Sequence, residues 1–340
     1  MPRAVTLTLA LLALAFGSAA QADSVVNVYS ARQEALIKPL LDRFSAETGI
    51  RTRLVTAGAG PLLERLRREG RNTSADLFIT VDAGRLHQAK VAGLLQPVES
   101  AALDAAVPAA YRDPQGLWFG LSLRARPIMY ATDRVRGDEL SSYLDLADPK
   151  WRGRICVRSS SNIYNQSLVA SMIAAHGESA TLEWLKGLVK NFARKPTGGD
   201  RDQLRAAAAG ECDIAIANTY YFARMLSAEP GSADHRAAKA LKVLWPHQDG
   251  RGVHVNISGA GVTEAAPNRD NAIRLLEFLV TDEAQAWYAR VNNEYPVKPG
   301  VPWSEVVEEM GRFKADELNL AVLGNNNALA VKLMDQAGWQ

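Results

Sequence analysis

The chain has 340 residues, with 39 Lys and Arg against 37 Asp and Glu and a formal net charge of +2. So even a balance gives no sign of a nucleic-acid or membrane-surface partner, and neither is expected. Hydrophobic residues make up 47%, the ordinary share for a globular protein.

Residues 1–22 read as a cleaved secretory signal. Arg3 is their single charge, an apolar run covers Thr6 to Phe16, and Ala20-Gln21-Ala22 supplies the small-residue site. That run is shorter than the roughly 20 residues needed to span a bilayer. What remains exceeds the usual size of one core, so two lobes are expected.

Val25 to Tyr29 is a β-branched strand. Leu36, Ile37, Leu40, Leu41 and Phe44 then recur at helical spacing, which predicts a helix over Glu34 to Thr48 stopped by Gly49. Arg51 to Thr56 is a strand, Leu62 to Glu69 a helix stopped by Gly70, Asp76 to Val81 a strand, and Leu86 to Ala92 a helix closed by Gly93. This alternation predicts an α/β layer with right-handed crossovers. A second such run has a strand at Arg154 to Val157 and helices at Tyr164 to His176, Leu182 to Asn191 and Gln203 to Ala209. A strand at Asp213 to Asn218 follows, and a helix over Asn268 to Ala289 comes later. Gly120 to Tyr130 and Val253 to Val262 read as strands crossing between the lobes. The lobes are expected at 23–124 with 253–297 and at 125–252 with 298–340.

The catalytic search finds no GxSxG, P-loop, HExxH or GxGxxG pattern, so an enzyme is not expected. The five His stand apart in sequence. Cys156 and Cys212 are an even pair in an exported chain and are expected to form a disulfide.

Two stretches carry candidate ligands. Asn218-Thr219-Tyr220-Tyr221-Phe222-Ala223-Arg224 follows a strand and places two tyrosines side by side. Arg158-Ser159-Ser160-Ser161-Asn162-Ile163-Tyr164 also follows a strand and opens a helix, with polar side chains and free N–H groups suited to an anion. Either could be plain packing or capping, but the expected disulfide would tie the two together. Tyr164, Tyr220 and Tyr221 would then converge on one cleft. Hard cations prefer oxygen donors, and a tripositive ion can displace the phenol protons on binding.

With these segments, and with Asn27 to Arg32, Ser74 to Phe78 and Asp148 to Arg154, the chain resembles the periplasmic ferric-ion-binding proteins of bacterial iron ABC importers. The resemblance covers nearly all of the chain after the signal. It implies a two-lobed periplasmic binding protein fold of the type II, transferrin-like class, with hinge strands between the lobes. It implies a monomer in the periplasm that hands Fe(III) to an inner-membrane ABC permease. Tyr220 and Tyr221 match the family's paired tyrosine ligands, and Tyr164 matches the third tyrosine of its tyrosine-rich branch. Arg32, Arg124, Ser161, Asn218 and Arg224 fall at positions that neighbour a bound anion or support the ligands, and a synergistic anion such as carbonate would complete the iron sphere.

The chain departs from many relatives just after Arg32, where they place His, or His followed by Tyr. Gln33 and Glu34 stand there instead. A three-tyrosine site completed by an anion or water is therefore expected, with Glu34 or Gln33 as the alternative further ligand. The same fold holding a polyamine, an oxyanion or thiamine is the competing reading.

Overall fold

The structure, a computed structural model, describes residues 24–340, so the signal reading of residues 1–22 lies outside it. Two sheets organise the chain. The first contains β1 (Val25–Ser30), β2 (Arg51–Thr56), β3 (Leu77–Val81), β4 (Phe119–Ala125) and β9 (Val255–Val262), in the order β2-β1-β3-β9-β4. The second contains β5 (Ile128–Ala131), β6 (Ile155–Cys156), β7 (Ile214–Ile216) and β8 (Leu241–Leu244), in the order β6-β7-β5-β8. β1 pairs in parallel with β2 and β3, and β6 with β7; β9 runs antiparallel to β3 and β4, as β5 does to β7 and β8. Each sheet carries its own helices, which gives the two-lobed α/β fold expected. No helix among the described residues is long and apolar enough to cross a membrane.

The helices named below are α1 (Lys38–Thr48), α2 (Ala59–Glu69), α3 (Ala83–Val91), α4 (Ala101–Ala106), α5 (Ile163–Lys190), α6 (Asp200–Ala209) and α7 (Thr219–Leu226). α1 buries Leu40, Leu41 and Phe44 and ends at Gly49 in the left-handed conformation. It does not begin at Glu34: a 3-10 turn over Glu34–Leu36 precedes it, and Ile37 breaks the run. Pro39 has no N–H and fits only a helix's first turn, which explains the break. α5 consists of two arms that meet at Gly177, whose φ of 80° suits a residue without Cβ. The helix expected over Asn268 to Ala289 is divided as well. Arg269–Leu279 ends before Thr281, whose side chain caps a new helix, Asp282–Trp287.

The first crossing strand is really two. β4 ends in the first sheet, β5 begins in the second, and Arg126-Pro127 lies between them. Pro127 cannot donate to a sheet ladder, so one continuous strand is excluded. The second crossing is the short stretch from Val253 to His254, which leads into β9. The C-terminal segment touches both sides. Ala321–Asn325 packs on α3 so closely that a Cβ on Gly324 would lie 2.1 Å from the Cβ of His87. Asn327–Gln336 packs along α5. Trp339 then donates its indole N–H to Arg158 O at 2.9 Å and rests edge-on against Phe192.

Candidate functional site

β6 and β7 are neighbouring parallel strands, and each delivers its chain to the first turn of a helix at the same end of the second sheet. Asn162 caps α5, its side chain accepting from Tyr164 N at 3.1 Å. Asn218, in extended conformation, is the cap position of α7 and puts Tyr220 and Tyr221 in that helix's first turn. The expected disulfide is present: Cys156 at the end of β6 is bonded to Cys212 just before β7.

The phenols meet. Tyr220 Oη donates to Tyr164 Oη at 3.3 Å, Asn218 Nδ2 donates to Tyr220 Oη at 3.4 Å, and the Tyr220 and Tyr221 rings lie 4.3 Å apart. All three rings are half-buried. Burial is the main force raising the Tyr164 and Tyr220 phenols above their ordinary pKa. The neighbouring phenols add to it, and the Arg124 guanidinium opposes it.

Guanidinium groups surround the cluster. Arg158, Arg124 and Arg126 lie 5.5, 5.7 and 5.9 Å from the Tyr164 ring centre, and Arg224 lies 5.8 Å from that of Tyr220. Arg124 stands out among them. It is only 2% exposed, none of its three nitrogens has a hydrogen-bond partner, and the Asp82 carboxylate is 3.9 Å away. A buried cation without hydrogen bonds is costly, and the Asp82 carboxylate is the charge that offsets it here.

The site spans both sheets. Asp82, Arg124 and Asn256 from the first side line a tightly closed polar cleft with Tyr164 and Asn218 from the second and with Arg126 and His254 from the crossings. Asp82 takes an unusual φ of 81° and accepts hydrogen bonds from Gly84 N, Asn256 Nδ2 and Ser167 Oγ at 2.9, 3.0 and 2.7 Å. The last of these joins the first lobe to α5.

Not every candidate residue makes a hydrogen bond to the phenols. Arg32 is buried on the first-sheet side, where it bonds Ser258 Oγ and, at 3.0 Å, Glu294 Oε2. Gln33 and Glu34 are exposed at the 3-10 turn. Ser161 is exposed and shares a 3.0 Å hydroxyl contact with Ser159. Sequence reasoning missed Arg126, Asp82 and Asp200, and gave Arg158 no role beyond opening its polar run. The one available signal was Arg126 beside Pro127 in a crossing segment, where buried charge is not legible from local pattern.

Residues 72–313 match the family described as bacterial extracellular solute-binding protein. The chain is 49% identical over 315 residues to iron uptake protein A1 of a Synechocystis species, covering 93% of this chain and 87% of that protein. It is 30% identical to the major ferric iron-binding protein of Neisseria meningitidis serogroup B, covering 97% and 98% of the two chains. Among solved structures, the Trichodesmium FutA (IdiA) protein in complex with iron and citrate superposes with a TM-score of 0.90. It is 49% identical and is matched over 93% of this chain and all of its own.

Proposed function

We propose, from the premise that the chain belongs to the bacterial extracellular solute-binding protein family, that it captures ferric iron in the cleft between its lobes. The observation that carries this reading is the cluster of Tyr164, Tyr220 and Tyr221 beside the buried Arg124, whose nitrogens make no hydrogen bond. Three phenolates would balance a tripositive charge with hard oxygen donors. Arg124 would hold a synergistic anion such as carbonate or a carboxylate. Arg224 supports Tyr220 from outside, and Arg32 and Asn218 brace the two walls. Glu34 and Gln33 stay outside the iron sphere.

The lobe division expected from the sequence is carried forward here, supported by the membership of the two sheets. The protein acts as a carrier without catalysis: a periplasmic monomer that passes its cargo to the permease of an ABC importer. The relatives, named for iron uptake and ferric iron binding, support this reading.

Titrating the purified protein with ferric citrate tests it. Ferric phenolate absorbs visible light, so a coloured complex with one iron per chain is the expected result. The second reading, an oxyanion as the cargo itself, has in its favour the buried Arg124, which makes no hydrogen bond. A colourless protein that binds phosphate or sulfate and no iron would select it.

A further inference from the structure

The buried ion pair between Arg126 and Asp200 touches neither iron nor anion in the reading above, yet its bonds end beside the phenols. Arg126 lies in the crossing between β4 and β5, Asp200 opens α6, and both are buried. Arg126 Nη1 donates to Asp200 Oδ2 and Asn218 Oδ1, both at 2.9 Å, and Nη2 donates to Asn165 Oδ1 at 2.7 Å and Ile216 O at 3.4 Å. Asp200 Oδ2 also accepts from Asn218 N at 2.7 Å, and its Oδ1 accepts from Arg158 Nη1 at 3.4 Å. Asn165 follows Tyr164 in α5. Asn218 is the residue whose amide reaches Tyr220 Oη.

Backbone pairing does not reach this far. The β6–β7 ladder runs out at Cys156 and Ala215, before either tyrosine. Beyond it, side-chain struts must set the angle between the first turns of α5 and α7. A planar guanidinium fork holds two acceptors in fixed directions, which an ammonium cannot do. Nor is such a pair explained by stability, since well-packed apolar side chains in place of a buried ion pair are often neutral or stabilising.

We propose that Arg126 and Asp200 are positioning residues that fix the Tyr164 and Tyr220 oxygens relative to each other for the incoming cation. The proposal rests on the ferric reading, and the wild-type protein tests that reading separately. The variants are Arg126→Lys, Asp200→Asn and Asn165→Ala, with Asp213→Asn as the control. Asp213 forms ion pairs with Arg134 and Arg154 in the same lobe, away from the phenols. Each is measured for melting temperature, for ferric affinity in competition with citrate, and for the position of the visible band.

Arg126→Lys and Asp200→Asn are expected to weaken ferric binding about tenfold or more, the usual effect of losing a residue that orients a ligand. They should also shift the band. Asp213→Asn should melt earlier and keep both affinity and band. If Arg126→Lys does not fold, Asp200→Asn and Asn165→Ala, each removing fewer bonds, decide the matter. Wild-type affinity and band in the folded variants overturn the proposal, as does a loss no greater than that of Asp213→Asn with the band unmoved. A wild-type protein that takes up no iron overturns the ferric reading itself.

Discussion

A phenol differs from a phenyl ring by one oxygen, so Tyr→Phe at this site separates ligation from packing. Tyr220→Phe and Tyr221→Phe are each expected to remove most ferric binding, and Tyr164→Phe to weaken it, with melting temperature nearly unchanged. Arg224→Ala should do less than any of them, since it removes a charge near Tyr220 and no donor. Tyr111→Phe and Tyr130→Phe are the controls, and iron stoichiometry with visible absorbance is the measurement. Full colour in both paired-tyrosine variants would end the ferric assignment. Burial keeps the Tyr164 and Tyr220 phenols protonated well beyond neutral pH. Each phenolate formed by iron then releases a proton, so apparent affinity must rise with pH and fall in acid. The slope of log affinity against pH, at fixed free ferric ion, should approach three when three phenols ligate. The tyrosines were legible because adjacency and strand-to-helix position are local signals. Arg126 and Asp200 were not, because they lie 74 residues apart and only the fold makes them partners.

Among the elements, strands and Gly-stopped helices of the first lobe followed their periodicity closely. Gly49 and Gly70 end their helices as expected. Boundaries failed where one residue overrode the pattern: Pro39 delays α1, Thr281 restarts a helix, and Pro127 separates β4 from β5. The Tyr220-Tyr221 stretch, expected only to follow a strand, forms α7. Its eight residues are too few for a clear period, and aromatic content favours strand on propensity alone. The Cys156–Cys212 bridge clamps the two phenol-bearing segments across a sequence separation of 56. In the chain-entropy account a loop of that size contributes about 4 kcal/mol to stability. Thiol titration of denatured, unreduced protein should find no free sulfhydryl. Reduction should lower the denaturant midpoint and, by loosening α5 against α7, weaken iron binding as well. Unchanged iron binding after complete reduction would assign the bridge to stability alone.

At the scale of the molecule, the chain length announced two lobes, and the crossings were found in the expected stretches, but the contacts that hold the lobes together were hidden. Ser167 on α5 donates to Asp82 beside β3, and this is a hydrogen bond to a buried carboxylate. Such bonds are worth roughly 1.5–3 kcal/mol. Ser167→Ala should therefore shift the population towards an open cleft and weaken ferric binding without moving the visible band. Small-angle scattering of the wild type should give a smaller radius of gyration with iron than without, and the variant should need more iron to reach it. A radius that iron does not change would mean either that the ligands sit on one lobe or that the cleft is already closed without iron.

The indole of Trp339 holds the carbonyl of Arg158, and Gln340 O accepts from Ser160 N at 3.4 Å, so the last two residues buttress the loop that approaches Tyr164. For anyone engineering the protein as an iron sensor, this makes the segment around Trp339 the wrong place for an affinity tag or a fluorescent insertion. Cargo attached behind Trp339 would pull on the binding loop and distort the signal it was meant to report. The turn at Gly300 is exposed and makes no such contact with the binding loop, so it offers a quieter insertion point.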